Sequence, residues 1–188
     1  MSEDSRTPTA DRPTMPEGYG IPTTVEGVLR WPDVEAELVA AQHYWLTSVR
    51  PDGRPHVVPR WGVWLLGSFY YDGAPSTVHA RNAEAHPAVT LNLESGTRTV
   101  IVEGTSTATR ADARGLGAEL AVAFQKKYAA AGYRPEPDAW ASDDGGGLRV
   151  ITPELALAWF DFPNDCTRFR FGGSEPPAGQ QHPDARAQ

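Results

Sequence analysis

A mainly β fold, an antiparallel barrel closed or nearly closed with a few peripheral helices, is predicted by three features of the chain. Runs of aromatic and β-branched residues recur, Pro- and Gly-bearing turns separate them, and the clearest run alternates with period two. In AVTLNLE (88–94), Val89, Leu91 and Leu93 alternate with Thr90, Asn92 and Glu94, as in a strand with one buried face. Closing such strands into a barrel removes exposed sheet edges.

The elements follow in chain order. HYWLTSV (43–49) and HVVPRWGVWLL (56–66) read as strands joined by RPDGRP (50–55), whose Pro and Asp-Gly suit a tight turn. Leu66-Gly67-Ser68 turns the chain into FYYDG (69–73). A short helix over 76–85 is predicted from a Ser76 or Thr77 cap and a stop at His86-Pro87, because Pro cannot continue a helix and restricts the residue before it. AVTLNLE and RTVIVEGT (98–105) make a second hairpin. Leu116, Leu120, Phe124 and Tyr128 form an apolar ridge on a helix from about Asp112 to Ala131. LRVIT (148–152), ELALAWFDF (154–162) and TRFRF (167–171) complete about seven strands.

The 188 residues suit one domain. Residues 1–20 and 173–188 are rich in Pro, Gly, Ser and charge and read as disordered tails, leaving 21–172 as the folded unit and His182 as a mobile surface residue. A net charge of −7 argues against a nucleic-acid partner held through its backbone. No apolar run reaches the roughly 20 residues of a membrane helix and no secretory leader opens the chain, so the expectation is a cytoplasmic protein with no membrane partner. Cys166 is alone, which excludes an internal disulfide and a cysteine-rich metal site. His43, His56, His79, His86 and His182 show no metal-ligand spacing, and no P-loop, GxGxxG or GxSxG motif is present.

What remains is STVHARN (76–82), where hydroxyls, an imidazole, a guanidinium and a carboxamide gather at a helix start. The free N–H groups of residues 77–79 and the helix dipole favour an anion there, and Arg81 and His79 reach toward the same end. A phosphate pocket and a plain helix start with a surface Arg both fit these residues. Pro59 interrupts the preceding ladder, so that strand is an edge, a bulge or a site of close approach. Alternation puts Arg60 on the face of Val58 and Trp64, and Trp61 on that of Val57 and Val63. The tryptophans then suit either a stacked flat ligand or a core or dimer interface. Arg168 and Arg170 share one face of the last strand, as an anion clamp or as a solvated surface.

The ordered run from VRPDGRPHVVPRWGVW through GSFYYDGAPSTVHARNAEAHPAV and VIVEGTS to FPNDCTRFRF resembles the pyridoxamine 5'-phosphate oxidase-like split-barrel family of flavin and deazaflavin (F420) proteins, over roughly residues 25–172. The resemblance implies a homodimer with FMN or F420 in grooves between the subunits. It implies that the cofactor ring lies along Val58, Pro59, Arg60 and Trp61, and that the phosphate meets Ser76, Thr77, His79, Arg81 and Asn82. Where family members that hold phosphate firmly commonly carry lysine, this chain has His79, and many have a small or apolar residue where it has Arg60; a weaker or pH-dependent phosphate site follows, with Arg60 as the compensating charge. The implied activity is an FMN- or F420-dependent oxidoreductase acting on a small, conjugated molecule, with the cofactor supplying the chemistry and no catalytic residue assigned. Arg60, Arg168 and Arg170 would serve the longer anionic tail of F420. The competing expectations are a non-catalytic binder of flavin or of haem, with His43, His56 or His79 as axial ligand, and a dimeric scaffold with an empty groove.

Overall fold

The computed structural model describes residues 7–16 and 18–172. They form β1 (Thr9–Asp11), α1 (Trp31–Ala40), β2 (Tyr44–Val49), β3 (Pro55–Arg60), β4 (Val63–Leu65), β5 (Ser68–Tyr71), α2 (Val78–Ala85), β6 (Ala88–Asn92), β7 (Thr99–Ala108), α3 (Leu116–Tyr128), β8 (Arg149–Trp159) and β9 (Thr167–Arg170). All nine strands join one antiparallel sheet in the order β1-β9-β8-β7-β6-β2-β3, with β5 bridging β4 to β8.

The long strand β8 explains why the barrel is split. Along one edge it pairs with β7 over its whole length; along the other it pairs first with β5, through residues 149–151, and then with β9, through 155–158. Pro153 lies between those two stretches, at the register shift opposite Glu103/Gly104. A residue without an N–H fits best where pairing changes hands, and Gly104 leaves room because a Cβ there would overlap the Thr152 carbonyl. The two strands predicted on either side of Pro153 are therefore one.

The predicted strand over 56–66 is instead two. It bends at Trp61-Gly62, where a Cβ on Gly62 would overlap the Phe69 ring and the Tyr70 carbonyl. Across this bend Val58, Arg60 and Trp64 stay on the barrel-core side and Trp61 and Val63 on the α3 side, as the alternation predicts. Trp64 is buried in the barrel core, its Nε1 donating to Glu35 Oε1 at 2.9 Å, and Arg60 lies against Tyr71. Val63 joins the core under α3, and Trp61 stacks on Tyr128 at 4.8 Å.

Two more elements differ from expectation. Helix α1 was not read from the sequence, although Trp31, Val34 and Leu38 carry helical spacing behind Pro32 near the helix start. It plugs the barrel, Trp31 meeting Phe169 edge-on at 5.2 Å and Phe171 at 4.8 Å. Strand β1 falls in the stretch expected to be a disordered tail. It pairs with β9, and Arg12 fastens the following chain through hydrogen bonds to the carbonyls of Thr24, Glu26 and Cys166. The predicted tail over 173–188, with His182, lies outside the described residues.

Helix α3 covers a second core of Val63, Leu120, Phe124, Trp140 and Leu148. It is pinned by polar contacts: Lys127 Nζ donates to the Ala41 carbonyl at 2.7 Å and to Tyr44 Oη at 2.6 Å, and Tyr128 Oη donates to the Gln42 carbonyl at 2.9 Å. Burial holds the Lys127 ammonium at a pKa of about 8.

Candidate cofactor site

The sequence-predicted site residues fall on three neighbouring pieces: β3, the bend that follows it, and α2. Strand β3 is an edge, pairing only with β2 among the described residues, so one side of its backbone is unpaired. Its side chains alternate. Pro59 is exposed opposite Trp45, while Val58 turns inward against the barrel core. The Val58 side chain is thus structural, and only its backbone can face a ligand. Trp61 is 38% exposed beyond the bend.

Helix α2 starts at Thr77, whose hydroxyl does not cap the backbone but meets His79 Nε2 at 3.3 Å. The Thr77 amide donates to the Ala74 carbonyl at 3.0 Å, and the first intrahelical bond runs from the Arg81 amide to the Thr77 carbonyl. The amides of Val78, His79 and Ala80, one residue later than predicted, are left without acceptors among the described residues. Ser76 and Arg81 are exposed beside them, and the Arg81 guanidinium has no partner among the described residues. A helix mouth of this kind, open, amide-rich and next to a free cation, suits one phosphate.

The side chains of His79 and Asn82 do not belong to that mouth. The Asn82 amide donates to Ser48 Oγ at 3.0 Å and ties α2 to β2. His79 is buried, its ring 5.9 Å from that of Tyr71. Desolvation, reinforced by Arg60, His56 and Arg149 nearby, lowers its pKa to about 4, so it is neutral near pH 7. Whatever charge the site offers a phosphate comes from elsewhere.

Beneath α2 lies a cavity of about 330 Å³, bordered by Tyr71, Gly73, His79, Glu84, Leu148 and Arg149 among others. Three of its polar residues, Tyr71, Glu84 and Arg149, are joined through Ser106 and one another. Tyr71 Oη meets Ser106 Oγ at 2.9 Å, and buried Arg149 donates to Ser106 Oγ at 3.2 Å, to the Ser106 carbonyl at 3.1 Å and to Glu84 Oε1 at 2.6 Å. These residues were not predicted as site members, because Arg149 reads locally as the first residue of an apolar strand.

Arg60 is the opposite case. Its Nη2 donates to the Asp72 carbonyl and its guanidinium lies 5.4 Å from the Tyr71 ring centre, yet its Nε is buried with no partner. The Asp72 carboxylate does not supply one; its Oδ2 accepts from Tyr133 Oη and, at 2.9 Å, from Trp140 Nε1.

Arg168 and Arg170, expected either to clamp a phosphate or carboxylate or to face water, meet a carboxylate of the chain itself. Arg168 grips Asp11 of β1 with two hydrogen bonds of 2.8 and 2.7 Å, and Arg170 stands 4.0 Å from the same carboxylate. The Arg168 hydrogen bond, opposed by some desolvation and aided by both cations, holds the Asp11 carboxyl below its usual range.

Neither a protein-family model nor a curated protein sequence matches the chain. Solved structures do. A FAD-binding protein from Mesorhizobium loti is 19% identical, covers 78% of this chain and 96% of its own, and superposes with a TM-score of 0.52. A Listeria innocua protein provisionally assigned as a pyridoxamine 5'-phosphate oxidase is 16% identical, covering 69% of this chain and 98% of its own with a TM-score of 0.51. A haem-binding protein from Mycobacterium smegmatis, also 16% identical, covers 69% of this chain and 54% of its own at 0.51. At these identities the likeness establishes the fold alone, a split β-barrel shared with these proteins. Among the described residues no helix is long and apolar enough to cross a membrane.

Proposed function

We propose that the protein binds a flavin-type cofactor, FMN in preference to F420, and works as an oxidoreductase on a small conjugated molecule. The observation that carries this reading is the mouth of α2, where three acceptor-less amides, Ser76 and an unpartnered Arg81 stand together in a barrel of this fold. Thr77 contributes its position more than its hydroxyl, which is engaged by His79. The unpaired edge of β3 offers backbone groups to the heteroatom rim of a planar ring, with Pro59 as apolar surface beside it. Bound there, the flavin would supply hydride or electron transfer; the chain supplies the phosphate grip, the ring's seat and a dry wall.

One phosphate fits these donors better than a longer anionic tail, since Arg168 is held by Asp11. A homodimer would bury the exposed outer face bearing Trp45, Val49 and Val57 and would wall the ring from the other side. The expected result is near-visible absorbance and micromolar binding when FMN is added to the purified protein; failure of both FMN and F420 to bind at that level overturns the reading.

A second reading, sequestration of flavin or haem without turnover, draws on the haem-binding neighbour. It predicts a Soret band on haem titration that a single His substitution abolishes. His79, buried and hydrogen-bonded to Thr77, would have to leave its place to serve as ligand, whereas His43 is exposed.

A further inference from the structure

We infer that the cavity beside β3 binds a small planar carboxylic acid, its carboxylate on Arg60 and its ring on Trp61. The cavity measures about 310 Å³ and is lined by Pro59, Arg60, Trp61, Asp72 and Tyr133.

The reasoning starts from Arg60. A guanidinium keeps its charge near neutral pH and presents five N–H donors in a planar fork. Among the described residues it meets a single acceptor, the Asp72 carbonyl, and one facing ring, Tyr71. Its Nε is buried without a partner, and no carboxylate lies within ion-pair distance among the described residues. A half-buried cation left so incomplete is costly, and an anion from outside is what completes it, best a planar carboxylate that matches the fork. Desolvation already weakens the hold of Arg60 on its proton, a strain that a bound anion relieves.

The walls define the rest of the ligand. Trp61 is braced from behind by Tyr128, with ring planes 10° apart, and still presents indole surface to the cavity. The Tyr133 ring, 6.3 Å from Trp61 and tilted by 48°, closes one end. The volume is at the small end for ligand sites, which limits the body to one or two fused rings. Asp72 sets the charge. Its carboxylate lines the cavity close to Arg60 and repels each further negative charge, so a monoacid is penalised least and a polyanion most. The glutamyl tail of a deazaflavin is a poor match for the same reason.

That this acid is the molecule oxidised or reduced rests on the flavin reading above; its binding does not, and is measured without cofactor. The experiment is calorimetric titration of the cofactor-free full chain at pH 7.5 with naphthalene-2-carboxylate, its neutral carboxamide, and γ-linked triglutamate. The acid is expected to bind at least about tenfold more tightly than the amide. Arg60→Gln should reduce that preference to less than about twofold, and Trp61→Leu should weaken acid and amide alike, by about fivefold. Equal binding of acid and amide by the natural protein, survival of the preference in Arg60→Gln, or triglutamate binding as tightly as the aromatic acid overturns the proposal. Should Arg60→Gln lose its cooperative melt, Trp61→Leu decides: unchanged affinity for both ligands refutes the site.

Discussion

Two guanidinium groups flank Tyr71 and His79, and the chain treats them in opposite ways. Arg149 enters from β8 and gives three hydrogen bonds to Ser106 and Glu84, holding β7, β8 and α2 together. Arg60 enters from β3, lies 5.4 Å from the Tyr71 ring centre and receives one main-chain carbonyl. The lesson is that a buried cation's role is set by its acceptors: one that is fully bonded is architecture, and one left short is available to a ligand.

The sharpest way to break this contrast is to remove each charge. Arg149→Met should cost about 2–4 kcal/mol of unfolding free energy, because the Ser106 hydroxyl and carbonyl lose their donor in a buried network. Arg60→Met should cost nothing or stabilise by about 1 kcal/mol, since an unpaired desolvated charge is replaced by an apolar chain of similar reach. Urea melts compare the two, and losses of equal size would erase the distinction.

The next effect is on ligand rather than fold. Arg81→Gln should weaken FMN binding about tenfold, about 1.4 kcal/mol, with an unchanged melting temperature, whereas Arg168→Gln should leave FMN affinity within about twofold. Fluorescence titration reads both, and a larger loss at Arg168 would move the phosphate away from α2.

His79 sharpens the comparison through pH. Its folded pKa, about 4, lies below the value near 6.5 that it has in an unfolded chain, so the unfolded state binds the proton first. Stability tied to His79 is therefore complete above pH 6.5 and declines as the pH falls toward 4. His79→Gln should flatten that slope, and the imidazole resonances should titrate near 4; titration near 6.5 would return His79 to the phosphate. The smallest change is expected of Asp11→Asn, about 0.5 kcal/mol, because the pair with Arg168 is partly exposed. With the Asp11 pKa lowered, that contribution is present above pH 3.8 and disappears as the pH falls below it, so the variant and the natural protein should melt alike in strong acid.

Most strands and both predicted helices were legible because each has a local cause: alternation in AVTLNLE, Asp-Gly at the first hairpin, the stop at His86-Pro87, the four-residue ridge from Leu116 to Tyr128. Helix α1 carries its signal in Trp31, Val34 and Leu38, a weaker pattern than that of the neighbouring strands. Strand β1 had none, since TAD is too short and polar to announce a strand, and only β9 makes it one.

By itself, then, the sequence determined the class of fold and the position of the anion-friendly helix start, because turn chemistry, side-chain periodicity and helix termini are short-range properties of neighbouring residues. Tertiary structure alone decided which charged groups are free. Asp11 reaches Arg168 across 157 positions, Glu84 reaches Arg149 across 65, and Tyr133 and Trp140 take the Asp72 carboxylate from 61 and 68 positions away, leaving Arg60 with a carbonyl. Hydrogen bonds and charges act over a few ångströms of space, whatever the distance along the chain, so partners so far apart in order are visible only once the barrel has closed.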